Sequence, residues 1–159
     1  MSRVVVGVDG SPGASAALRF ALDEARLRGA VLHVVHAWRV PLYAAAPEPG
    51  FVGMPAPTAE LDEEVEQALA EDAERALAGA LTELRRETGD DLGVEARAEA
   101  IRGAPAHVLL EAAEDADLLV LGARGLGGFK GLLLGSVSQQ CVQHARCPTT
   151  VVPSPRDEG

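Results

Sequence analysis

The hydrophobic positions along the chain follow two alternating patterns. Residues 3–9, Val31–Trp38 and 118–121 are short apolar runs rich in valine and leucine, which is typical of strands buried on both faces of a parallel sheet. Between the first two runs, small apolar residues recur at helical spacing, and Ser11 and Gly29 are suited to capping the two ends of that helix. A strand, a helix and a strand of this length predict a right-handed crossover with parallel pairing. The sequence therefore predicts an α/β fold.

The rest of the chain predicts further elements of the same kind. From Thr58 onward, apolar residues recur at helical spacing along a long acidic stretch, whose carboxylates we interpret as a solvated face rather than a metal or partner patch. Residues 93–101 alternate between apolar and charged side chains, which predicts an edge strand, and Pro105 begins another helix. Thr149–Val152 is the last apolar run. We therefore expect five strands with intervening helices.

The chain of 159 residues has the length of one ordinary domain. We expect a single domain over residues 1–155, followed by a short C-terminal tail at 156–159. Residues 39–57 hold several prolines and glycines and predict a long connection. Such a connection is either a loop that folds over a ligand or a disordered segment, and the sequence leaves both open.

Charge and composition exclude several classes of partner. The formal net charge of −10 opposes nonspecific binding to nucleic acid or to anionic membranes. Only 3% of the residues are aromatic, so the chain has few rings on which a base can stack. The N-terminus lacks the apolar core of a signal peptide, and no apolar run has membrane-spanning length. We expect a soluble cytoplasmic protein, in which Cys141 and Cys147 are small thiols in a reducing compartment.

The histidines do not form a metal-binding pattern. His33 and His36 lie three residues apart on one predicted strand, so they face opposite sides and do not chelate one ion together. His107 and His144 fall on separate predicted helices. Since zinc ligands cluster at short spacings, we predict no structural zinc.

The segment from 118 to 138 contains the clearest candidate for a ligand site. Its strand leads into a run dense in glycine, a residue that accepts positive φ and lets the backbone approach a ligand closely. These glycines are Gly122, Gly125, Gly127, Gly128, Gly131 and Gly135. Ser136, with Gln139 three residues later, predicts a capping box and a helix that begins at Val137. Free amides at a helix start beside such a loop form a phosphate site, although the same glycines also suit a mobile connection.

The glycine run is not a Walker A loop, because Lys130 is followed by glycine rather than by Ser or Thr, and its spacing is not that of a G-x-G-x-x-G fingerprint. Its pattern, Gly122-x2-Gly125-x9-Gly135-Ser136, resembles the ATP-binding motif of the universal stress protein family, in its nucleotide-binding branch. The segments GARGLGGFKGLLLGSVS and HARCP near the end, and VVVGVDGSPGASAAL at the start, are similar to the two ends of that family's domain. The final strand departs from the family, which usually has apolar residues where Thr149 and Thr150 stand.

The resemblance implies a Rossmann-like fold: a doubly wound, five-stranded parallel sheet in the order 3-2-1-4-5 with helices on both faces. In this order the first and fourth strands are neighbours. Asp9 and the glycine loop would therefore meet in one crevice at the carboxyl ends of the strands, where ligands bind in such sheets.

The resemblance also implies which residues bind ATP, accompanied by Mg²⁺. The residues that would approach ribose, phosphate or metal after the first strand are Asp9, Gly10 and Ser11. Ala37 would meet the edge of the adenine through its backbone. Those that would line the ribose and the phosphates are Leu121, Gly122, Arg124 and Gly125. Those that would hold phosphate through amides and hydroxyls are Gly135, Ser136, Val137 and Ser138. Lys130 and Arg124 each suit either a phosphate contact or a solvated cation.

Three classes of function remain open from the sequence. The one we favour is an ATP-binding regulatory or stress-response module, which works as a homodimer joined through Thr149–Val152. The second is a slow ATPase that uses the same site, although no His or Glu is placed as a general base and Asp9 suits a metal or ribose contact better. The third is a flavodoxin- or receiver-like module, which shares the strand order, or else a dimeric interaction module that needs no nucleotide. A receiver would need clustered acids after the first strand and a lysine late in the chain.

Overall fold

The computed structural model describes residues 1–40, 59–125 and 134–155. The predicted loop beyond residue 40, the Thr58 cap, Lys130 and the predicted tail at 156–159 lie outside the described residues. The helices and strands are β1 (Arg3–Gly7), α1 (Pro12–Arg28), β2 (Val31–Trp38), α2 (Ala59–Thr88), β3 (Ala96–Arg102), α3 (Pro105–Ala112), β4 (Leu118–Gly122), α4 (Ser136–His144) and β5 (Thr149–Val152).

The five strands form one parallel sheet in the order β3-β2-β1-β4-β5, which confirms the predicted fold class. Alternate residues of the strands face opposite layers of helix. Val6 and Val34 belong to the core cluster that includes buried residues of α1 and α2. Val5 and Val35 belong to the cluster that includes α3 and α4. The strands are therefore covered on both faces, which is why they read as continuous apolar runs.

Helix α1 confirms its predicted caps. The Ser11 hydroxyl accepts a hydrogen bond from the Ala14 N–H at 3.1 Å, and Pro12 occupies the first turn. At the other end, Gly29 takes a left-handed conformation with φ 59°, and its N–H bonds back to the last turn. These caps fix where the helix begins, and so they fix the turn that joins β1 to α1.

Two strands differ by two or more residues at one end from the prediction. β1 ends at Gly7 rather than Asp9, and β3 begins at Ala96 rather than at residue 93. Gly93 has φ 74°, which is a turn conformation and not an extended one, so the strand cannot begin there. The edge position predicted for β3 is confirmed. No helix in the described part of the chain is long and apolar enough to cross a bilayer.

Gly79→Ala is expected to stabilise the protein by about 1 kcal/mol, because glycine in a helix interior costs conformational entropy that alanine does not. Gly79 lies on the exposed side of α2, and a Cβ built there meets no atom within 4 Å. Thermal unfolding checks this, with an expected rise of about 2–4 °C in the midpoint. A lower midpoint would mean that α2 is not a regular helix at this residue.

Candidate functional site

A cavity of about 580 Å³ opens at the carboxyl ends of β1, β2 and β4. This volume lies within the range of about 300–1,000 Å³ that is usual for small-molecule sites. The predicted site residues that line it are Asp9, Ser11, Ala37, Leu121, Gly122, Arg124, Gly125, Gly135, Ser136, Val137 and Ser138. Gly10 is the predicted residue that does not line it; with φ 84° it makes the turn between Asp9 and α1.

One wall of the cavity consists of residues that the sequence did not single out. Val35 on β2, together with Pro105 and Leu109 on α3, forms an apolar surface beside Leu121. Helix α3 carries no motif, and its residues come to the cavity only because the connection from β3 to β4 crosses over β2 and β1. The strand order was the signal that could have found them, because it places the helix after the third strand over the middle of the sheet.

Asp9 lies where the β1–α1 turn meets the loop after β4. Its Oδ1 accepts a hydrogen bond from the Ser11 N–H at 2.9 Å. A Cβ built on Gly125 would stand 2.5 Å from Asp9 Oδ2, so a side chain at residue 125 would collide with the carboxylate. The glycine therefore allows the loop backbone to pass directly beside the acid. Asp9 and the described start of the glycine loop, at Gly125, therefore lie together.

Gly122 brings the end of β4 against the first turn of α1. A Cβ on Gly122 would stand 2.9 Å from the carbonyl carbon of Gly13, and this contact is to backbone that cannot turn aside. Of the predicted loop glycines, Gly122, Gly125 and Gly135 are described, and none has positive φ. Positive φ is therefore not the reason for glycine at these three positions. At Gly122 and Gly125 the reason for glycine is the close approach of other atoms.

Hydrogen bonds join the start of α4 to the end of β4. The helix begins at Ser136 and its N-cap is Gly135, with φ −71° and ψ 169° and no side-chain cap. The Gly135 N–H donates to the Ala123 carbonyl at 2.6 Å, and the Ser138 hydroxyl lies 2.9 Å from the same oxygen. The Ser138 hydroxyl also lies 3.1 Å from the Gly135 carbonyl. Its one hydrogen is therefore donated to a carbonyl of the protein.

The predicted capping box at Ser136 and Gln139 is wrong. The helix starts one residue earlier, and the Gln139 N–H bonds to the Gly135 carbonyl at 2.9 Å as in a regular helix. The first N–H groups of a helix have no acceptor within the helix, and Ser136 and Val137 line the cavity at this end. The start of α4 therefore presents backbone donors and the positive end of the helix dipole to the cavity.

Within the described residues, Asp9 and Arg124 are the charged residues that line the cavity. No group of three or more His, Cys, Asp or Glu that could hold a metal ion occurs in residues 1–40, 59–125 and 134–155. Cys141 is fully buried, and burial raises the pKa of its thiol to about 11, so it is protonated at neutral pH. Both cysteines are free, and neither lines the cavity.

Residues 1–153 match the family model described as "Universal stress protein family". The chain belongs to that family. It is 42% identical over 149 residues to a universal stress protein of Mycolicibacterium smegmatis, covering 94% of this chain and 45% of the relative, so it spans less than half of that protein's length. It is 38% identical over 151 residues to a Thermus aquaticus universal stress protein, covering 94% of this chain and 96% of the relative.

Solved structures of the universal stress protein family share the fold. A universal stress protein from Lactobacillus plantarum superposes with a TM-score of 0.73 at 24% identity, covering 95% of this chain and 97% of that one. A universal stress protein in complex with cAMP gives 0.61 at 25% identity, covering 97% and 98%. One from Archaeoglobus fulgidus in complex with dAMP gives 0.58 at 25% identity, covering 96% and 98%. Nucleotides therefore bind to some structural neighbours of this chain.

Proposed function

We propose that this universal stress protein binds ATP in the cavity at the carboxyl ends of β1 and β4, and acts as a nucleotide-dependent regulatory module. The observation that carries the proposal is the convergence of Asp9, Gly125 and the start of α4 on one cavity. β1 and β4 diverge into connections on opposite sides of the sheet, and ligands of doubly wound folds bind at such a point. The cAMP and dAMP complexes of neighbouring structures support a nucleotide as the ligand.

The phosphates would lie against the start of α4. Backbone donors at this helix start, with the guanidinium of Arg124, offset the unfavourable field of a chain with net charge −10. Mg²⁺ fits as a companion of ATP rather than as a resident ion. Asp9 is the one carboxylate that lines the cavity among the described residues, and Mg²⁺ is commonly held by one or two carboxylates together with substrate phosphates.

The base would lie against the apolar wall, where Val35, Ala37 and Leu109 line the cavity. The backbone of Ala37 would meet the edge of the adenine, as the family resemblance implies. Sites of this kind are lined mainly by apolar side chains, and a few polar groups fix the orientation of the ligand.

Gly135→Val is expected to weaken ATP binding at least tenfold, about 1.4 kcal/mol. The backbone at Gly135 is extended, and the nearest atom to a built Cβ is Arg124 Cα at 3.5 Å, so the protein accommodates the first carbon of the new side chain. The remaining methyl groups would then crowd the phosphates. Calorimetric titration with Mg-ATP measures the effect.

Gly125→Val is a companion variant, in which the new Cβ displaces the Asp9 carboxylate. Gly79→Val on α2 is the matched control, since a Cβ at Gly79 meets nothing within 4 Å, and its affinity should equal that of the wild type. Unchanged affinity in both loop variants, each shown to be folded, would remove this loop from the site.

Hydrolysis of ATP is expected to be far slower than the median enzyme turnover of roughly 10 per second. No His or Glu lines the cavity in the described part of the chain, and the Asp9 carboxylate already accepts the Ser11 N–H. Phosphate release at saturating ATP measures the rate. A turnover above about one per second that is lost in Gly135→Val would show that the protein is an ATPase.

We further propose that the protein is a cytoplasmic homodimer joined through β5. This strand pairs with β4 on one side and forms one edge of the sheet, and its residues are only partly buried in the single chain. A two-fold axis beside it would pair β5 antiparallel with its own copy. The two free thiols suit a reducing compartment, and the net negative charge opposes nucleic acid as a partner.

A further inference from the structure

The hydrogen-bond ladder between β1 and β2 ends at a pair that forms only one of its two hydrogen bonds. Their paired register runs to Gly7 and Val35, and beyond it the Val8 N–H still donates to the Val35 carbonyl at 2.9 Å. In a regular parallel ladder the Val8 carbonyl would next accept the Ala37 N–H. Within residues 1–40, all of which the structure describes, that hydrogen bond is not formed, and Val8 lies outside the strand.

The Val8 carbonyl is bonded to a side chain instead. His36 Nδ1 lies 2.8 Å from the Val8 oxygen, and because a carbonyl only accepts, Nδ1 carries the hydrogen. His36 shares its face of β2 with Val34, which packs toward α1 and α2, whereas Ala37 belongs to the opposite face. The imidazole therefore holds the Val8 carbonyl from the side of the sheet away from the apolar wall of the cavity.

We propose that His36 is a positioning residue for the nucleotide, because it occupies the Val8 carbonyl and so keeps the Ala37 N–H available to the ligand. This role rests on the ATP binding proposed above. The N–H groups of alternate β2 residues point toward β1, as the bond from the Val31 N–H to the Ser2 carbonyl shows. The Ala37 N–H therefore points past the end of β1, and Ala37 lines the cavity. Ala37 is partly exposed, so water can satisfy its amide when no ligand is bound.

The arrangement favours adenine over other purines. One residue's N–H and carbonyl offer a donor beside an acceptor, which complements the ring nitrogen acceptor and the amino donor on the Watson–Crick edge of adenine. Hypoxanthine and guanine present a ring N–H and a carbonyl oxygen there, so the polarity is reversed. If the Val8 carbonyl accepted a hydrogen bond from the Ala37 N–H, the preference for adenine over hypoxanthine and guanine would weaken.

Amide hydrogen exchange in the nucleotide-free protein tests the local arrangement without any ligand. In His36→Phe, which keeps a flat ring but has no donor, the Ala37 N–H should turn to the vacated Val8 carbonyl and exchange at least about tenfold more slowly than in the wild type. In His36→Asn, whose Nδ2 can take the place of Nδ1, Ala37 should exchange at the wild-type rate. An Ala37 amide equally protected in the wild type and in His36→Phe would overturn the proposal.

Calorimetric titration with ATP and with inosine triphosphate tests the consequence for binding. His36→Phe should lose at least about tenfold of the wild-type preference for ATP, and His36→Asn should retain that preference. A wild type that binds no ATP would refute the proposed function, and this role with it. A wild type that binds ATP, with the same preference and the same Ala37 exchange in His36→Phe, would refute the role of His36 alone.

Discussion

Leu119→Ala is expected to lower the free energy of unfolding by about 3 kcal/mol, within the range of about 2–5 kcal/mol that is usual for buried leucine truncations. Leu119 is fully buried on β4, between its partners Val5 on β1 and Thr149 on β5. Its side chain belongs to the core cluster that joins the sheet to α3 and α4. The truncation leaves the backbone pairing intact, so the loss reports the missing side-chain contacts and the remaining void. Urea denaturation of both proteins measures the difference.

Leu27→Ala provides the matched control for that experiment. Leu27 lies on α1 and is 82% exposed, so the same substitution there should change the free energy of unfolding by no more than about 0.5 kcal/mol. If the two variants lost the same stability, Leu119 would not lie in the core, and the packing of β4 against α3 and α4 would be wrong. The size of the loss at Leu119 also depends on how far α3 and α4 relax into the void.

The elements that could be predicted from the sequence are those whose signals are local. β2 and β5 have the predicted bounds, since each apolar run is closed by a change of composition. The caps at Ser11 and Gly29 are equally local, because the groups they satisfy lie within one helical turn. The buried strands read as apolar on both faces, and this alone indicates a sheet with helices on either side.

Two of the elements that differed, β1 and α4, depend on contacts between distant parts of the chain. β1 ends early because the His36 ring, which is far along the sequence, forms a hydrogen bond with the Val8 carbonyl. The capping box failed because the Gly135 N–H and the Ser138 hydroxyl both bond to Ala123, at the end of another element. A sequence motif contains information only about residues that are near one another along the chain. It therefore cannot predict a competing acceptor that folding brings close.

The candidate site shows the same division. The glycine spacing predicted a loop that closely approaches other groups, but the reason for glycine at Gly125 is the Asp9 carboxylate, which only the strand order brings near. The apolar wall from Pro105 and Leu109 was missed because α3 carries no motif. The motifs and the resemblance therefore located the residues that follow β1 and β4, whereas the wall from α3 follows from the strand order.

Val151→Asp is expected to weaken the proposed dimer at least about hundredfold, since an unpaired charge buried at an interface costs about 3 kcal/mol or more. Val151 pairs with Leu121 on β4 and is only partly buried in the single chain, so an aspartate there stays in contact with water in the monomer. In the dimer each copy would bury its residue 151 beside the two-fold axis, and the symmetry places two carboxylates close together. The monomer should therefore fold, while association fails.

Sedimentation equilibrium at micromolar concentration compares the wild type with this variant. Val65→Asp is the matched control, because Val65 is 38% exposed on α2, which packs on β2 and β3 at the opposite side of the sheet. The control should keep the wild-type dimer mass, and Val151→Asp should show the mass of one chain with an unchanged circular dichroism spectrum. A wild-type mass of one chain, or a dimer that tolerates Val151→Asp, would mean that the subunits do not meet at β5. In that case the flanking Pro153 and Pro155 would act as protection of an exposed edge, since proline cannot extend a ladder of hydrogen bonds.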